Sequence, residues 1–156
     1  MVTDRFDVLV RTALILDLPE RITARDLFHR IGETMGPALG LTPEKMEELL
    51  LHRERETSTV VHTGVAIPHI IVEGSSVFQM ALVRCREGAV FSDLQEPVHV
   101  MFVLAGSTDE RNFHLRALMA IAHVVQAPDF MGRWMAVPHA EQLRDIVLLS
   151  RRLREK

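Results

Sequence analysis

Apolar residues recur every three or four positions in three stretches of this chain, and that spacing places them on one face of a helix. The stretches predict helices over residues 24–35, 113–125 and 140–149. The apolar face of the first helix would consist of Leu27, Phe28, Ile31 and Met35. Gly36 and Pro37 follow directly and Gly40 comes soon after. Because glycine and proline disfavour a continuing helix, we expect these residues to break the first helix.

A fourth helix is predicted from the start signals at residues 42–44. Thr42 has a side-chain oxygen that can cap a helix, Pro43 suits the first helical position, and Glu44 places an acid in the first turn. We expect this helix to run to about Arg53.

Three further apolar stretches predict strands. Residues 77–83 and 98–104 are almost continuously apolar, as in a strand buried on both faces. Residues 6–16 are apolar and rich in β-branched side chains, so we predict a strand there, with a helix as the alternative. Strands interleaved with helices indicate an α/β sandwich built on a mixed sheet. The length of 156 residues, without repeats or an internal linker, fits one domain over residues 1–156.

Composition narrows the classes of function. The formal net charge is −3 and no long basic run precedes the short tail 151–154, so nucleic acid is not expected as a partner. The single cysteine, Cys85, excludes an internal disulfide framework and fits a reducing compartment. Arg11 and Asp17 interrupt the apolar stretch 8–18, which therefore fits neither a membrane span nor a signal peptide. We expect a cytoplasmic protein with no segment inserted in a membrane.

The residues before His69 single out this histidine as a candidate nucleophile. They read Gly64-Val65-Ala66-Ile67-Pro68, and the pair Ser58-Thr59 lies shortly upstream. Proline restricts its own backbone and that of the residue before it, so the chain that enters His69 is stiff. An imidazole has a pKa near neutrality and can attack without a strong base. The alternative for a histidine after proline is a simple turn or cap residue.

Further residues extend this pattern along the chain: Arg53-Glu54, Ser58-Thr59, residues 64–69, and His114-Leu115 with Leu118. In this order they resemble the type-2 EIIA domain of the bacterial phosphoenolpyruvate-dependent sugar phosphotransferase system. This fructose/mannitol class includes the nitrogen-regulatory EIIA proteins. The resemblance covers nearly the whole chain and is strongest from about residue 49 to residue 125.

The resemblance implies a mixed β-sheet with helices on both faces and the activity of a phosphocarrier. Family members accept a phosphoryl group on the histidine that matches His69, from the phosphohistidine of the small carrier HPr. They pass the group to an EIIB partner domain, or they are regulatory modules whose phosphorylation state or fold modulates a regulated transporter or regulatory protein. No cofactor is implied. His114 matches the second family histidine, and Arg53 matches the active-site arginine.

Both of these residues suit the stabilisation of a phosphoryl group. The guanidinium of Arg53 is a planar fork that can donate two hydrogen bonds to a phosphate, although Arg55 lies in the same charge run. His114, near the start of its helix, can donate a further hydrogen bond or can be a packing residue. Ser58 and Thr59 are lesser phosphate-binding candidates that fit a structural role equally well.

Two features of the sequence need a separate explanation, the residue after His69 and a second Pro-His pair. Glycine usually follows the family's histidine, and Ile70 in its place predicts either a different path of the loop or a changed contact with a partner. Pro138-His139 repeats the Pro-His signature, but a helical pattern follows, so we expect His139 at the surface, at the start of the last helix. The spacing of the other histidines is not that of a metal site, and no metal is expected.

Overall fold

Seven strands form a mixed sheet in the structure, a computed structural model that describes residues 4–93, 95–152 and 154. The strands are β1 (Leu14–Leu18), β2 (Ile22–Thr23), β3 (Val60–His62), β4 (Val65–Ala66), β5 (His69–Ile71), β6 (Phe78–Val90) and β7 (Val98–Gly106). The helices are α1 (Arg5–Thr12), α2 (Ala24–Leu39), α3 (Pro43–Glu56), α4 (Arg111–Val125), α5 (Phe130–Ala136) and α6 (Gln142–Leu148). A short 3-10 helix, Thr108–Glu110, leads into α4.

The sheet combines parallel and antiparallel pairs. The strands follow the order β1-β6-β7-β4-β3, while β2 pairs with β6 and β5 pairs with β7. β6 and β7 are antiparallel neighbours, whereas β1 and β2 run parallel to β6, and β4 and β5 run parallel to β7. The predicted mixed sheet is therefore confirmed, and its two short strands along β7 carry the Pro-His segment.

Helices cover both faces of the sheet, and alternate residues of β7 belong to opposite cores. Val100 and Phe102 pack with residues of α1, α4, α5 and α6. Met101 and Val103 pack with residues of α2 and α3. A strand buried on both faces needs apolar residues at every position, which explains the continuous apolar stretch in the sequence.

α2 and α3 approach each other closely because α2 carries a glycine at their contact. A Cβ atom on Gly32 would lie 2.8 Å from the Cβ of Met46 and 2.8 Å from the carbonyl oxygen of Pro43. Any side chain at this position would push the two helices apart. The glycine therefore fixes where α3 lies, and with it the position of Arg53.

The predicted break of α2 is wrong at Gly36 and Pro37 and confirmed at Gly40. The helix continues to Leu39, and Gly40 ends it in the left-handed conformation (φ 70°, ψ 28°). Pro37 is tolerated because it lies in the last turn, where a missing backbone donor disturbs only the end of the hydrogen-bond ladder. Gly36 has a different role, since a Cβ there would lie 2.4 Å from the carbonyl oxygen of Leu41.

The prediction of one strand over residues 6–16 is also wrong, and the helical alternative holds for its first half. α1 ends at Thr12 and β1 begins at Leu14. Asp4 caps α1 by accepting a hydrogen bond of 2.9 Å from the backbone N–H of Asp7. The buried positions of α1 recur at helical spacing: Phe6, Asp7, Leu9 and Val10.

The other predicted elements are present. Thr42 caps α3 by accepting a hydrogen bond of 3.1 Å from the backbone N–H of Lys45, and α3 ends three residues beyond Arg53. The predicted strands are parts of β6 and β7, and the predicted last two helices correspond to α4 and α6. α5 and the short strands β2 to β5 have no counterpart in the sequence prediction. Within the described residues, no helix combines the length and apolar character that a membrane span needs.

A buried arginine links the sheet to α5. The side chain of Arg84 on β6 is 0% exposed, and it donates hydrogen bonds of 3.0 and 2.8 Å to the carboxylate of Asp17 on β1. Its Nη1 donates to the carbonyl oxygens of Trp134 and Val137, at 2.9 and 2.7 Å. The hydrogen bonds from Arg84 hold the pKa of Asp17 well below its usual range. Removing one partner of such a buried pair is costly because the other charge stays behind without compensation.

Substitution of this arginine should destabilise the fold. Arg84→Met should lower the free energy of unfolding by about 3 kcal/mol, because it leaves the buried carbonyl oxygens without their donor and Asp17 without its main partner. Arg86→Met is the matched control, since Arg86 binds the same carboxylate from an exposed position and its loss should cost much less. Urea denaturation followed by circular dichroism measures both, and equal losses would contradict the dominant role of Arg84.

Candidate active site

His69 is the first residue of β5, and Ile67 and Pro68 separate this strand from β4. Both strands pair with β7, with Val65 opposite Val100 and His69 opposite Leu104. The carbonyl oxygen of Pro68 accepts a hydrogen bond of 2.9 Å from the backbone N–H of Leu104. The Pro-His segment is therefore fixed along a strand that is buried on both faces.

Two hydrogen bonds determine which nitrogen of the His69 ring carries the proton. Nδ1 lies 2.7 Å from the carbonyl oxygen of Ile67, and because a carbonyl only accepts, Nδ1 is the donor. Nη2 of Arg53 lies 3.0 Å from Nε2, and because a guanidinium only donates, Nε2 presents its lone pair. The arrangement selects a neutral imidazole in which Nε2 is the unprotonated nitrogen.

The surroundings of His69 also favour the neutral ring. Burial lowers the pKa of His69 below 6.5, and the positive charge of Arg53 lowers it further. The Ile67 carbonyl and the charge of Glu54 act in the opposite direction without reversing the shift. At neutral pH the ring is thus in the form that attacks an electrophile.

Arg53 lies near the end of α3, where the backbone holds one arm of its guanidinium. Nη1 donates a hydrogen bond of 2.8 Å to the carbonyl oxygen of Thr57, the C-cap of the helix, while Nη2 donates to His69. Arg55 is exposed. The structure therefore brings Arg53, of the two arginines in the charge run, to the candidate nucleophile.

His114, on α4, lies beside His69. The two ring centroids are 5.1 Å apart and the ring planes meet at 72°. The ring of Phe78 also packs against His114, at 5.6 Å between centroids, and His114 is only 7% exposed. Burial lowers the pKa of His114, and the positive charges of His69, when it is protonated, and of Arg53 lower it further. Two neutral imidazoles and one guanidinium thus meet at one point.

A pocket of about 410 Å³ opens beside the two histidines. Its lining consists of His69, Ile71, Thr108, Arg111, His114, Leu115 and Leu118. Among the described residues of the lining, Arg111 is the one Arg, Lys, Asp or Glu, so it adds a positive charge to the pocket. Apolar walls such as Leu115 and Leu118 reduce the water in this pocket and strengthen electrostatic interactions there.

Three lining residues were missed by sequence reasoning. Arg111 lies three residues before His114, so helical spacing puts the two side chains on one face of α4. Ile71 lies two residues after His69 and shares its face of β5. Thr108 has no such signal, because the 3-10 helix that brings it to the pocket was not predicted.

Ile70 faces the core. It is 5% exposed, pairs with Ala105 of β7 and packs in the cluster that contains residues of α2 and α3. A β-branched residue suits this regular strand. Of the two predicted consequences of the missing glycine, a direct change of partner contact through Ile70 does not fit its burial.

Ser58 and Thr59 do not belong to the pocket lining given by the described residues. Thr59 is 3% exposed, and both its hydroxyl (2.5 Å) and its backbone N–H (2.9 Å) donate to the carboxylate of Glu54. Ser58 is exposed, and its Oγ accepts a hydrogen bond of 3.2 Å from the backbone N–H of Val60. The structure gives both residues local structural contacts, and phosphate binding by either one stays a prediction.

The second Pro-His pair is separate from this site. His139 is exposed and precedes α6, and its backbone N–H donates a hydrogen bond of 2.9 Å to the side chain of Gln142. This confirms the predicted surface position at a helix start. In the part of the chain that the structure describes, no three His, Cys, Asp or Glu side chains are grouped as a metal site requires.

The sequence matches one family model and several known proteins. The family model described as "Phosphoenolpyruvate-dependent sugar phosphotransferase system, EIIA 2" matches residues 11–149. The nitrogen regulatory protein of Klebsiella oxytoca is 28% identical over 119 residues, which cover 75% of this chain and 74% of that protein. The fructose-specific EIIABC component of Bacillus subtilis is 27% identical over 104 residues, 65% of this chain but only 16% of that much longer protein.

Solved structures agree with this relationship. The nitrogen regulatory protein IIA-Ntr of Neisseria meningitidis superimposes with a TM-score of 0.77 at 28% identity, covering 86% of this chain and 92% of that chain. The mannitol enzyme IIA of Escherichia coli, solved in complex with phosphorylated enzyme IIB, gives a TM-score of 0.67 at 14% identity over 87% of this chain and 94% of that chain, a likeness of fold alone. On the evidence of the family match over most of its length, the chain belongs to the type-2 EIIA family of the phosphoenolpyruvate-dependent sugar phosphotransferase system.

Proposed function

We propose that this chain is a phosphocarrier in which Nε2 of His69 accepts a phosphoryl group from the phosphohistidine of HPr and passes it to an EIIB partner. The observation that carries the proposal is the pair of contacts on one ring, Nδ1 to the Ile67 carbonyl at 2.7 Å and Nε2 to Arg53 at 3.0 Å. They leave the lone pair on the nitrogen that is next to a phosphate-binding guanidinium. A cytoplasmic location is part of the proposal, because HPr-dependent transfer takes place there.

The proposed step requires no proton transfer. The lone pair on Nε2 of His69 attacks phosphorus in line with the leaving nitrogen, and a new P–N bond forms. The P–N bond of the donor breaks, and its electron pair returns to the donor imidazole. The proton on Nδ1 of His69 stays hydrogen-bonded to Ile67 and stabilises the phosphorylated ring, which gains positive character.

Arg53 and His114 would stabilise the phosphoryl oxygens. As phosphorus approaches Nε2, Nη2 of Arg53 loses its acceptor and can donate to a phosphoryl oxygen, while Nη1 keeps its bond to Thr57. His114 reaches the same space from α4. Charge stabilisation by pre-oriented donors is the main means by which proteins accelerate phosphoryl transfer.

A regulatory use of the same phosphoryl group is the second candidate function. The matched region spans 74% of the Klebsiella oxytoca nitrogen regulatory protein, whereas the fructose EIIABC relative contains much more chain than this one matches. The likeness to a nitrogen regulatory protein supports an EIIA domain that acts on a regulated transporter or regulatory protein. Both functions require phosphoryl acceptance at His69, so one experiment tests their common step.

Phosphoryl acceptance should be observable by intact mass. Incubation with phosphoenolpyruvate, Enzyme I and HPr should add one acid-labile phosphoryl group, and His69→Ala should abolish the gain. Arg53→Gln should slow labelling about 100-fold, because the charge stabilisation of the transferred group is lost. His139→Ala is the matched Pro-His control and should label at the wild-type rate. Labelling of His69→Ala, or ³¹P–¹⁵N couplings that place phosphorus on Nδ1, would refute the proposed step.

The titration of His69 should depend on Arg53. In a histidine-detected NMR titration, His69 should titrate below 6.5, and Arg53→Gln should raise its pKa without restoring the usual value, because burial is the larger cause. The pH dependence of stability follows from the difference in protons bound by the folded and the unfolded chain. A histidine with a lowered folded-state pKa binds fewer protons than in the unfolded chain, so stability is lost as the pH falls from about 6.5. A pKa unchanged by Arg53→Gln would contradict the direct contact.

Glycine at position 70 should not improve transfer. Ile70→Gly removes a buried side chain from the core and should cost about 3–5 kcal/mol of unfolding free energy, whereas Ile70→Val should cost about 1 kcal/mol. Labelling from HPr, corrected for the folded fraction, should stay near the wild-type rate in both variants. A large acceleration in Ile70→Gly alone would mean that the isoleucine restrains the site.

A further inference from the structure

The short connection between α3 and β3 anchors two groups of the candidate site. The carbonyl oxygen of Thr57 accepts a hydrogen bond of 2.8 Å from Nη1 of Arg53. The carbonyl oxygen of Thr59 accepts a hydrogen bond of 2.9 Å from the backbone N–H of Ile67, whose own carbonyl accepts one of 2.7 Å from Nδ1 of His69. The position of this connection therefore sets both the guanidinium and the carbonyl that contact the His69 ring.

Glu54 holds this connection from the last turn of α3. Its carboxylate accepts hydrogen bonds from both donors of Thr59, the backbone N–H at 2.9 Å and the hydroxyl at 2.5 Å. Hydrogen bonds to an ionised acceptor are roughly twice as strong as neutral ones. Because Thr59 is only 3% exposed, these contacts restrain a residue that is packed inside the protein.

The tautomer of His69 depends on the position of the Ile67 carbonyl. Of the two neutral tautomers, the one with its proton on Nδ1 has the lone pair on Nε2. If the carbonyl moves away from Nδ1, the ring loses the acceptor that keeps the proton there. The other tautomer, which carries its proton on Nε2, can neither attack phosphorus through that nitrogen nor accept a hydrogen bond from Arg53.

We propose that Glu54 is a positioning residue of the phosphoryl-transfer site: by holding Thr59, it keeps the Ile67 carbonyl at Nδ1 of His69 and thereby keeps the lone pair on Nε2. The inference rests on the proposed function. Glu54 acts through successive hydrogen bonds, from Thr59 to its carboxylate, from Ile67 to Thr59 and from Nδ1 to Ile67. Each of these contacts has the short distance that a fixed geometry requires.

The charge of Glu54 is a second way in which this residue acts on the ring. Burial lowers the pKa of His69, and the negative charge of Glu54 opposes this shift. Removing the carboxylate therefore changes the position of the Thr59 segment and the charge near His69 together. The experiment needs variants that change one without the other.

Four variants separate the hydrogen bonds of Glu54 from its charge. Glu54→Ala removes both. Glu54→Gln removes the charge but keeps both contacts, because the amide oxygen can accept from the Thr59 N–H while the amide nitrogen donates to the Thr59 hydroxyl oxygen. Thr59→Val removes the hydroxyl alone and keeps the branched shape of the side chain. Glu56→Ala is the matched control, since Glu56 belongs to the same charge run and is exposed.

Two measurements are made on each protein. Long-range ¹H–¹⁵N NMR spectra, recorded above the pKa of His69, report which ring nitrogen carries the proton. Rapid-quench labelling over a range of phospho-HPr concentrations gives the maximal rate and the KM separately. Thermal unfolding followed by circular dichroism checks that each variant is folded at the temperature of the assay.

We expect Glu54→Ala to lower the maximal rate of labelling about tenfold while the KM stays within about twofold of the wild type, because the ring is less often in the reactive tautomer. Its ¹⁵N shifts should move towards a mixture of the two neutral tautomers. Thr59→Val should show the same two changes to a smaller extent. Glu54→Gln should keep the wild-type tautomer and label within about threefold of the wild-type rate, and Glu56→Ala should match the wild type in both measurements.

An unchanged tautomer or an unchanged maximal rate in Glu54→Ala would overturn the proposal, and so would a rise in KM alone. Equal losses in Glu54→Gln and Glu54→Ala would also overturn it, because they would assign the effect to charge. If Glu54→Ala does not fold, Thr59→Val decides by the same criteria. If the wild type accepts no phosphoryl group, the proposed function fails, and the ring spectra alone decide whether Glu54 positions His69.

Discussion

The hydrogen bond from Nδ1 of His69 to the carbonyl of Ile67 is the contact on which the site depends. The two residues are separated only by Pro68, whose ring restrains the backbone on both sides, so the carbonyl and the imidazole keep their relative position. Pairing of both flanking strands with β7 fixes this short segment to the centre of the sheet. Because the proton is held at Nδ1, Nε2 is the unprotonated nitrogen of the ring. Burial and Arg53 then lower the pKa of a ring whose tautomer is already fixed.

The groups around His69 come from opposite layers of the fold. Arg53 belongs to α3, which packs in one core, and His114 belongs to α4, which packs in the other. The sheet between these layers sets the separation of the two side chains, and the close approach of α2 and α3 at Gly32 fixes the α3 side. A change in the packing of either core should therefore change the distance between Arg53 and His114. A site whose groups must be precisely oriented needs such a rigid scaffold.

Local signals predicted much of this fold, and the failures have identifiable causes. The cap at Thr42 was predictable because its effect is confined to one helical turn. The prediction of one strand over residues 6–16 failed because a helix and a strand lie within one apolar stretch, and β-branched residues occur in both elements. The predicted break of the helix at Gly36 failed because this glycine allows a close approach to the backbone of Leu41, which no local pattern reveals. The family resemblance predicted the grouping of Arg53, His69 and His114. Arg111 could be assigned to the site only from the folded pocket.

Charge limits which partners the site can bind in each state. The proposed phosphorylation of His69 would bring nearly two negative charges next to Arg53, whose Nη2 lies 3.0 Å from Nε2. In partly apolar surroundings this addition acts strongly on neighbouring charges. A partner that binds the phosphorylated form therefore needs a contact surface with less negative charge than a partner that binds the unphosphorylated form.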